Sequence, residues 1–175
     1  MNLYEETRFI MKQNNITANK NLGQNFLINE DVVDSIVENA EITKNDLVIE
    51  IGPGLGTLTS RLLEKAGKVI CVELDRKMIA ILEKRFKLYE NLELINDDIL
   101  KINLNQLISQ NKINEIKQVK IVANLPYYIT TPIIMKLLEE RLDIESITVM
   151  IQKEVAQRLA AKPGTSDVGS ITYTI

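Results

Sequence analysis

The sequence predicts an α/β fold, a parallel sheet with helices on both faces. Three observations carry this reading. Short apolar, β-rich runs recur at Leu47–Ile51, Lys68–Glu73, Leu92–Ile95, Val119–Ala123 and Glu145–Ile151. Stretches of helical spacing separate them, and strands alternating with helices read as crossover units. The first run is apolar except for Glu50, the pattern of a strand buried on both faces. With 175 residues, 45% of them hydrophobic, the chain can bury one sizeable core, so one α/β domain is the natural count.

Composition narrows the chemistry. There is no histidine, which removes Ser-His and Cys-His nucleophilic pairs and the usual zinc sites. Cys71 is the single cysteine and reads as a buried core residue, with no disulfide possible within the chain. The formal net charge is −3, so a nucleic-acid surface, if present, is local. No amino-terminal apolar run marks a signal peptide. The longest apolar stretch, around Ile121 to Met135, carries Asn124 and two prolines and is too broken to span a membrane. The expectation is a soluble, cytoplasmic protein.

Residues 1 to 21 read as an arm or short first helix, with Arg8, Lys12 and Lys20 offset by Glu5 and Glu6. These charges form either a solvated face or a nucleic-acid contact. Asn21-Leu22-Gly23-Gln24-Asn25-Phe26-Leu27 is a loop that leads into a helix from about Asn29 to Ala40, with Val33, Ile36 and Val37 on one face. That loop is either a plain lead-in or a closure over a ligand.

The strand Leu47–Ile51 runs into Gly52, Gly54 and Gly56, and Thr57 to Ala66 then reads as a helix. Strand, glycine turn and helix bring backbone close to a ligand at a helix N-terminus. The dinucleotide fingerprint is Gly-x-Gly-x-x-Gly. Here the spacing is Gly-x-Gly-x-Gly with an acid two residues earlier, which resembles motif I of the S-adenosylmethionine (SAM) methyltransferases. The alternative is a tight turn of any α/β protein. Glu73 ends the second strand, 21 residues after Gly52, where a carboxylate can accept from both ribose hydroxyls. Its alternative role is a helix-start acid beside Asp75.

Asp75 to Phe86 reads as a helix, and Leu92 to Ile95 as a third strand followed by Asn96-Asp97-Asp98-Ile99. Asp98, followed by apolar Ile99, fits an acceptor for an adenine 6-amino group, while Asp97 reads as exposed or capping. Leu104 to Asn111 is helical, and Val119 to Ala123 is the fourth strand. Directly after it, Asn124-Leu125-Pro126-Tyr127-Tyr128 puts an amide, two backbone carbonyls and an aromatic ring at the crevice mouth. Thr131 to Glu140 and Gln152 to Ala161 read as helices, and Gly169 to Ile175 as a strand by propensity alone.

Gly52, Glu73, Asp98 and Asn124 all fall at carboxyl ends of predicted parallel strands, where ligands of open α/β sheets bind. Adenine's 6-amino group is a poor nucleophile because its lone pair is delocalised into the ring. The Asn124 side-chain oxygen and the Leu125 carbonyl can accept its two hydrogens and aim the lone pair at an activated methyl. Tyr127 can stack on the base, which must be single-stranded or flipped out. No strong general base is required.

The motif set spans nearly the whole chain: Gly23–Leu27, Glu50–Gly56, Glu73-Leu74-Asp75, Asp98, Asn124–Tyr127, Gln152–Ala156 and Ala161–Gly164. Together it resembles the ribosomal RNA adenine dimethyltransferases, and Gln152–Gly164 is more like the members that act on small-subunit RNA. The resemblance implies a Rossmann-like class I SAM-dependent methyltransferase fold. It implies dimethylation of the 6-amino groups of two adjacent adenosines near the 3′ end of small-subunit (16S) ribosomal RNA, in ribosome biogenesis. The implied cofactor is SAM and the implied partner is small-subunit ribosomal RNA or the pre-ribosomal small subunit. No metal and no membrane are implied, and a monomer is expected. By position, Asn25 and Leu27 would close over SAM, and Gly52 would pass beneath its methionine portion with Gly54 in the same set. Glu73 would hold the ribose, and Asp98 the adenine with Ile99 beside it. Asn124 would bridge cofactor and target amine, Leu125 would supply its carbonyl and Tyr127 would stack. Glu50 would brace the glycine loop.

Two regions are implied: residues 1–28 as arm and cofactor-closing loop, and residues 29–175 as the SAM-binding domain. The family continues past Ile175 with two more strands, a second aromatic at the target base and a small helical domain. In the family Gly169–Ile175 would begin a helix. The expectation is therefore a truncated form, with a nearly complete SAM pocket and weak or absent transfer. The rival readings are a large-subunit RNA methyltransferase of the antibiotic-resistance type, a non-catalytic RNA-binding or assembly factor, and an NAD-binding oxidoreductase.

Overall fold

The protein's structure is a computed structural model that describes residues 2–17, 29–112, 115–126 and 128–162. The order of elements is α1 (Leu3–Gln13), α2 (Glu30–Asn39), β1 (Asp46–Ile51), α3 (Thr57–Lys65), β2 (Lys68–Glu73), α4 (Arg76–Arg85), β3 (Leu92–Asn96), α5 (Leu104–Asn111), β4 (Gln118–Asn124), α6 (Thr130–Glu139), β5 (Ser146–Met150) and α7 (Lys153–Ala160). Every expected strand and helix within the described residues is present, with ends that agree to within one residue. The strand expected at Gly169–Ile175, the loop residues Asn25 and Leu27, and Tyr127 lie outside the described residues.

The five strands form one sheet in the order β3-β2-β1-β4-β5, and every pair is parallel. The chain runs outward from β1 through β2 to β3. It then crosses back to β4 on the other side of β1. The topological switch therefore lies between β1 and β4, the place where such sheets open a crevice.

Strand parity divides the core. Leu47, Ile49 and Ile51 of β1 pack with Leu104, Leu107 and Ile108 of α5 and Ile133 and Leu137 of α6. Val48, one residue out of step, packs with Val33, Ile36 and Val37 of α2 and Leu58 and Leu62 of α3. Helices thus cover both faces. No helix among the described residues is long and apolar enough to cross a membrane.

The amino-terminal segment is a helix. Asn2 Oδ1 accepts from the Glu5 N–H at 2.9 Å, and Glu5 Oε2 accepts from the Asn2 N–H at 3.1 Å, the reciprocal pair that satisfies two orphan donors of a helix start. Leu3 is buried against the α2–α3 side of the sheet. Ile10, Met11 and Ile16 pack on a small cluster of Leu55, Met78 and Ile81. One charge departs from the expected solvated face: Glu6 pairs with Arg85 of α4, because α1 lies over α4 rather than standing free.

At the opposite end of the strands from the crevice, Lys120 and Asp46 are both buried, with Lys120 Nζ 3.1 Å from Asp46 Oδ2. Lys120 also donates to the Glu41 carbonyl at 2.7 Å, and Asp46 accepts from the Thr43 N–H at 2.7 Å. Each buried charge is therefore both paired and hydrogen-bonded, which is the condition for tolerating it.

Candidate functional site: a crevice at the carboxyl ends of four strands

The turn after β1 is made by three glycines with positive φ: Gly52 at 69°, Gly54 at 57° and Gly56 at 81°. Side chains rarely adopt this region, so the path of the loop depends on glycine. Gly56 has a second reason. A Cβ there would lie 2.5 Å from Phe86 Cε2 and 2.7 Å from Leu82 Cδ2, so its missing side chain lets α3 start against α4. As the N-cap residue of α3, Gly56 supplies no side-chain cap, and the helix start opens towards the crevice.

Glu73 closes the inner side of this loop. Its Oε2 accepts from the Gly54 N–H at 3.1 Å and its Oε1 from the Asp75 N–H at 2.8 Å. Burial pushes its pKa above the ordinary carboxylate value, while the amides of Asp75 and Gly54 hold it down. Both roles considered for Glu73 are therefore compatible. The carboxylate buttresses the start of the next turn and also sits at a strand tip on the crevice. Asn96 fixes the neighbouring strand end by donating to the Glu73 carbonyl at 2.8 Å.

Glu50 is buried beneath the loop, on the α3 side that parity assigns it. Its Oε2 accepts from the Thr59 hydroxyl at 2.7 Å and from the Cys71 thiol at 3.4 Å. Burial pushes its pKa up to about 7, opposed by those two donors and assisted by the nearby Glu73 charge. These bonds tie the end of β1 to α3 and β2 rather than to the glycine loop itself, and Glu50 also lines the crevice. Cys71 is a buried core thiol whose own pKa is raised by burial and then by Glu50.

On the other side of the switch, Leu125 continues the β4–β5 ladder, its N–H donating to the Met150 carbonyl at 3.2 Å. The Pro126 carbonyl accepts from the Thr130 hydroxyl at 2.9 Å and the Ile129 N–H at 3.2 Å. The Pro126 carbonyl is thus engaged in starting α6. Thr130, buried at the helix start, gave no sequence signal for this bond. Asp98 forms a turn, its Oδ1 accepting from the Leu100 N–H at 3.0 Å. Asp97 is exposed and accepts from the Asp98 N–H at 2.7 Å.

Gly52, Gly54, Glu73, Asp98, Ile99, Asn124 and Leu125 all line one cavity of about 120 Å³. These are all the expected site residues that fall within the described residues. The backbones of the two loops meet there: a Cβ on Gly52 would lie 3.9 Å from the Asn124 carbonyl oxygen. The cavity also touches Leu55, Leu58, Ile133 and Tyr128, which the sequence reading did not nominate. Ile133 and Leu58 carry no chemical signature and were legible only as helix-face apolars. Tyr128 is half exposed at the rim, beside the expected stacking residue Tyr127.

Carboxylates, apolar side chains and glycine backbone at a helix start line this pocket, a set suited to a nucleoside linked to a charged tail. The ribosomal RNA adenine dimethylase family matches residues 15–174. A ribosomal RNA small subunit methyltransferase A of Clostridium acetobutylicum is 54% identical over 169 residues, which cover 97% of this chain and 59% of that protein. The chain thus spans about 59% of the length of that relative. A dimethyladenosine transferase from Plasmodium falciparum matches in structure with a TM-score of 0.72 and 34% identity, covering 86% of this chain and 52% of that one. The 23S rRNA methyltransferase ErmE matches with a TM-score of 0.65 and 30% identity, covering 77% of this chain and 50% of that one. The fold is accordingly the Rossmann-like methyltransferase arrangement, and the chain belongs to the ribosomal RNA adenine dimethylase family.

Proposed function

We propose that this chain is the SAM-binding, catalytic part of an enzyme that dimethylates adenine 6-amino groups in small-subunit ribosomal RNA. The observation that carries the reading is the convergence of Gly52, Glu73, Asp98 and Asn124 on one cavity at the ends of four neighbouring strands. The residues present fit SAM as a donor set. Glu73 and Asp98 offer acceptors for hydroxyl and amino groups, Ile99 and Ile133 offer apolar walls, and the glycine loop lets backbone approach.

When bound, SAM supplies a methyl group activated by the sulfonium charge. Glu73 holds the ribose hydroxyls, and the amide bonds from Gly54 and Asp75 keep its carboxylate oriented towards the crevice. Asp98 and Ile99 receive the adenine. Asn124 and the Leu125 carbonyl would accept hydrogen bonds from the target amine and so aim its lone pair at the methyl; as the N–C bond forms, the methyl–sulfur bond would break and the amine's surplus proton would leave to water. Their hydrogen bonds strengthen as nitrogen turns tetrahedral, which lowers the barrier rather than merely improving binding. Tyr127 stacks on the target base, and Asn25 and Leu27 close over the cofactor. The partner is small-subunit ribosomal RNA or its precursor particle. The enzyme acts as a monomer in the cytoplasm.

The test is to supply labelled SAM and undermethylated small subunits to a family-length protein carrying this sequence. Label on 6-amino groups of adenines in small-subunit RNA is expected. Label in large-subunit RNA instead would select the resistance-type reading, which the likeness to ErmE keeps as the second one.

A further inference from the structure

The tip of the glycine loop is held from outside the cavity by one guanidinium. Arg85, the last residue of α4, donates from Nη1 to the Leu55 carbonyl at 2.6 Å. Its Nη2 meets Glu6 of α1. The Arg85 side chain is 17% exposed and stacks beside Phe86, with Cζ 5.2 Å from the ring centre. Leu55 itself lies between Gly54 and Gly56. Its side chain is buried with Met78 and Ile81 of α4, against Ile10, Met11 and Ile16 of the amino-terminal segment.

A loop with three glycines in positive-φ conformations has many unfolded alternatives and loses much freedom when fixed. Ordering it before the ligand arrives removes that cost from binding. Glu73 fixes the Gly54 N–H from the cavity side, and Arg85 fixes the next carbonyl from the opposite side. A hydrogen bond donated by a charged group is roughly twice as strong as a neutral one. The planar fork of arginine is what lets one side chain serve Leu55 and Glu6 together, which lysine cannot do in the same way.

We propose that Arg85 is a positioning residue for the cofactor: through the Leu55 carbonyl it holds the glycine loop in its ligand-accepting shape, and through Glu6 it makes α1 part of that support. This rests on the reading of the crevice as a SAM site. The experiment titrates SAM into the wild-type chain and into Arg85→Lys, Arg85→Met, Glu6→Gln and Leu107→Ala. The last is a core truncation remote from the loop that controls for general loss of stability. Hydrogen exchange at the amides of residues 54–56 is followed in parallel. Arg85→Lys and Arg85→Met are expected to raise the SAM dissociation constant about tenfold or more, as for loss of a charge-assisted bond, and to speed exchange in the loop. Glu6→Gln, which keeps the Leu55 bond, should change affinity less. Affinity within about twofold of wild type in both folded Arg85 variants would overturn the inference. So would an equal loss in Leu107→Ala at matched stability. Failure of the wild type to bind SAM would instead overturn the underlying reading of the site.

Discussion

The Glu73 carboxylate is bound to the backbone of Gly54 across the crevice edge, Oε2 to N–H at 3.1 Å. A residue expected from sequence to read a ligand thus shapes the glycine loop beside it. Glu73→Ala should therefore lose two contributions at once, the ribose acceptor and the loop buttress. Loss of hydrogen bonds to a charged group costs about 1.5–3 kcal/mol, so SAM affinity should fall by at least that much in calorimetric titration. Unchanged affinity in a folded variant would remove Glu73 from the site.

Glu50 predicts a pH dependence. Its pKa is raised from 4.5 to about 7 in the folded chain, so folding favours its protonated form. The stability linked to that proton is fully present below the unfolded value and is lost as pH rises through about 7. The raised pKa of Glu73 acts in the same sense. Glu50→Gln keeps an acceptor for Thr59 without the buried charge. Relative to wild type, this variant should gain stability between pH 4.5 and 7, reaching on the order of 3 kcal/mol above pH 7. Denaturant melts across that window check it, and parallel curves for the two proteins would contradict it.

Lys120 and Asp46 predict a stability effect away from the site. Lys120→Met leaves Asp46 buried beside an apolar side chain, and breaking a buried pair in this way costs about 3–5 kcal/mol. The denaturation midpoint should fall accordingly. Because the pair lies at the amino ends of the strands, SAM affinity of the folded fraction should stay near wild type.

Gly56→Ala should destabilise the chain through both backbone and packing. Alanine at φ 81° is strained, and its Cβ would overlap Phe86 and Leu82. Overpacking of this kind costs about 1–3 kcal/mol. A thermal melt indistinguishable from wild type would show that α3 and α4 separate more easily than their contact suggests.

Asn124→Ala, made in a family-length protein, separates binding from chemistry. If Asn124 acts on the target amine, methyl transfer should fall far more than SAM affinity. Single-turnover rates beside SAM titrations measure the two effects. A matched fall in both would assign Asn124 to cofactor binding alone.

Much of this architecture is readable in the sequence, for identifiable reasons. β1 and β4 are near-continuous apolar runs because helices cover both their faces, so their limits show in composition. The glycines and Glu73 are legible because turn geometry and strand-tip position restrict residue type at a fixed spacing. Arg85 and Lys120 were not legible. Each reaches a partner 79 residues away in sequence, and no local pattern distinguishes such a basic residue from a solvated one.

On this reading the crevice between Gly52, Glu73, Asp98 and Asn124 binds SAM. Calorimetric titration of the purified chain with SAM, beside NAD as a control, tests it most directly. Saturable one-to-one binding of SAM is expected, weakened by Glu73→Ala, with no comparable binding of NAD. A folded chain that shows no saturable heat with SAM, or that prefers NAD, would contradict it.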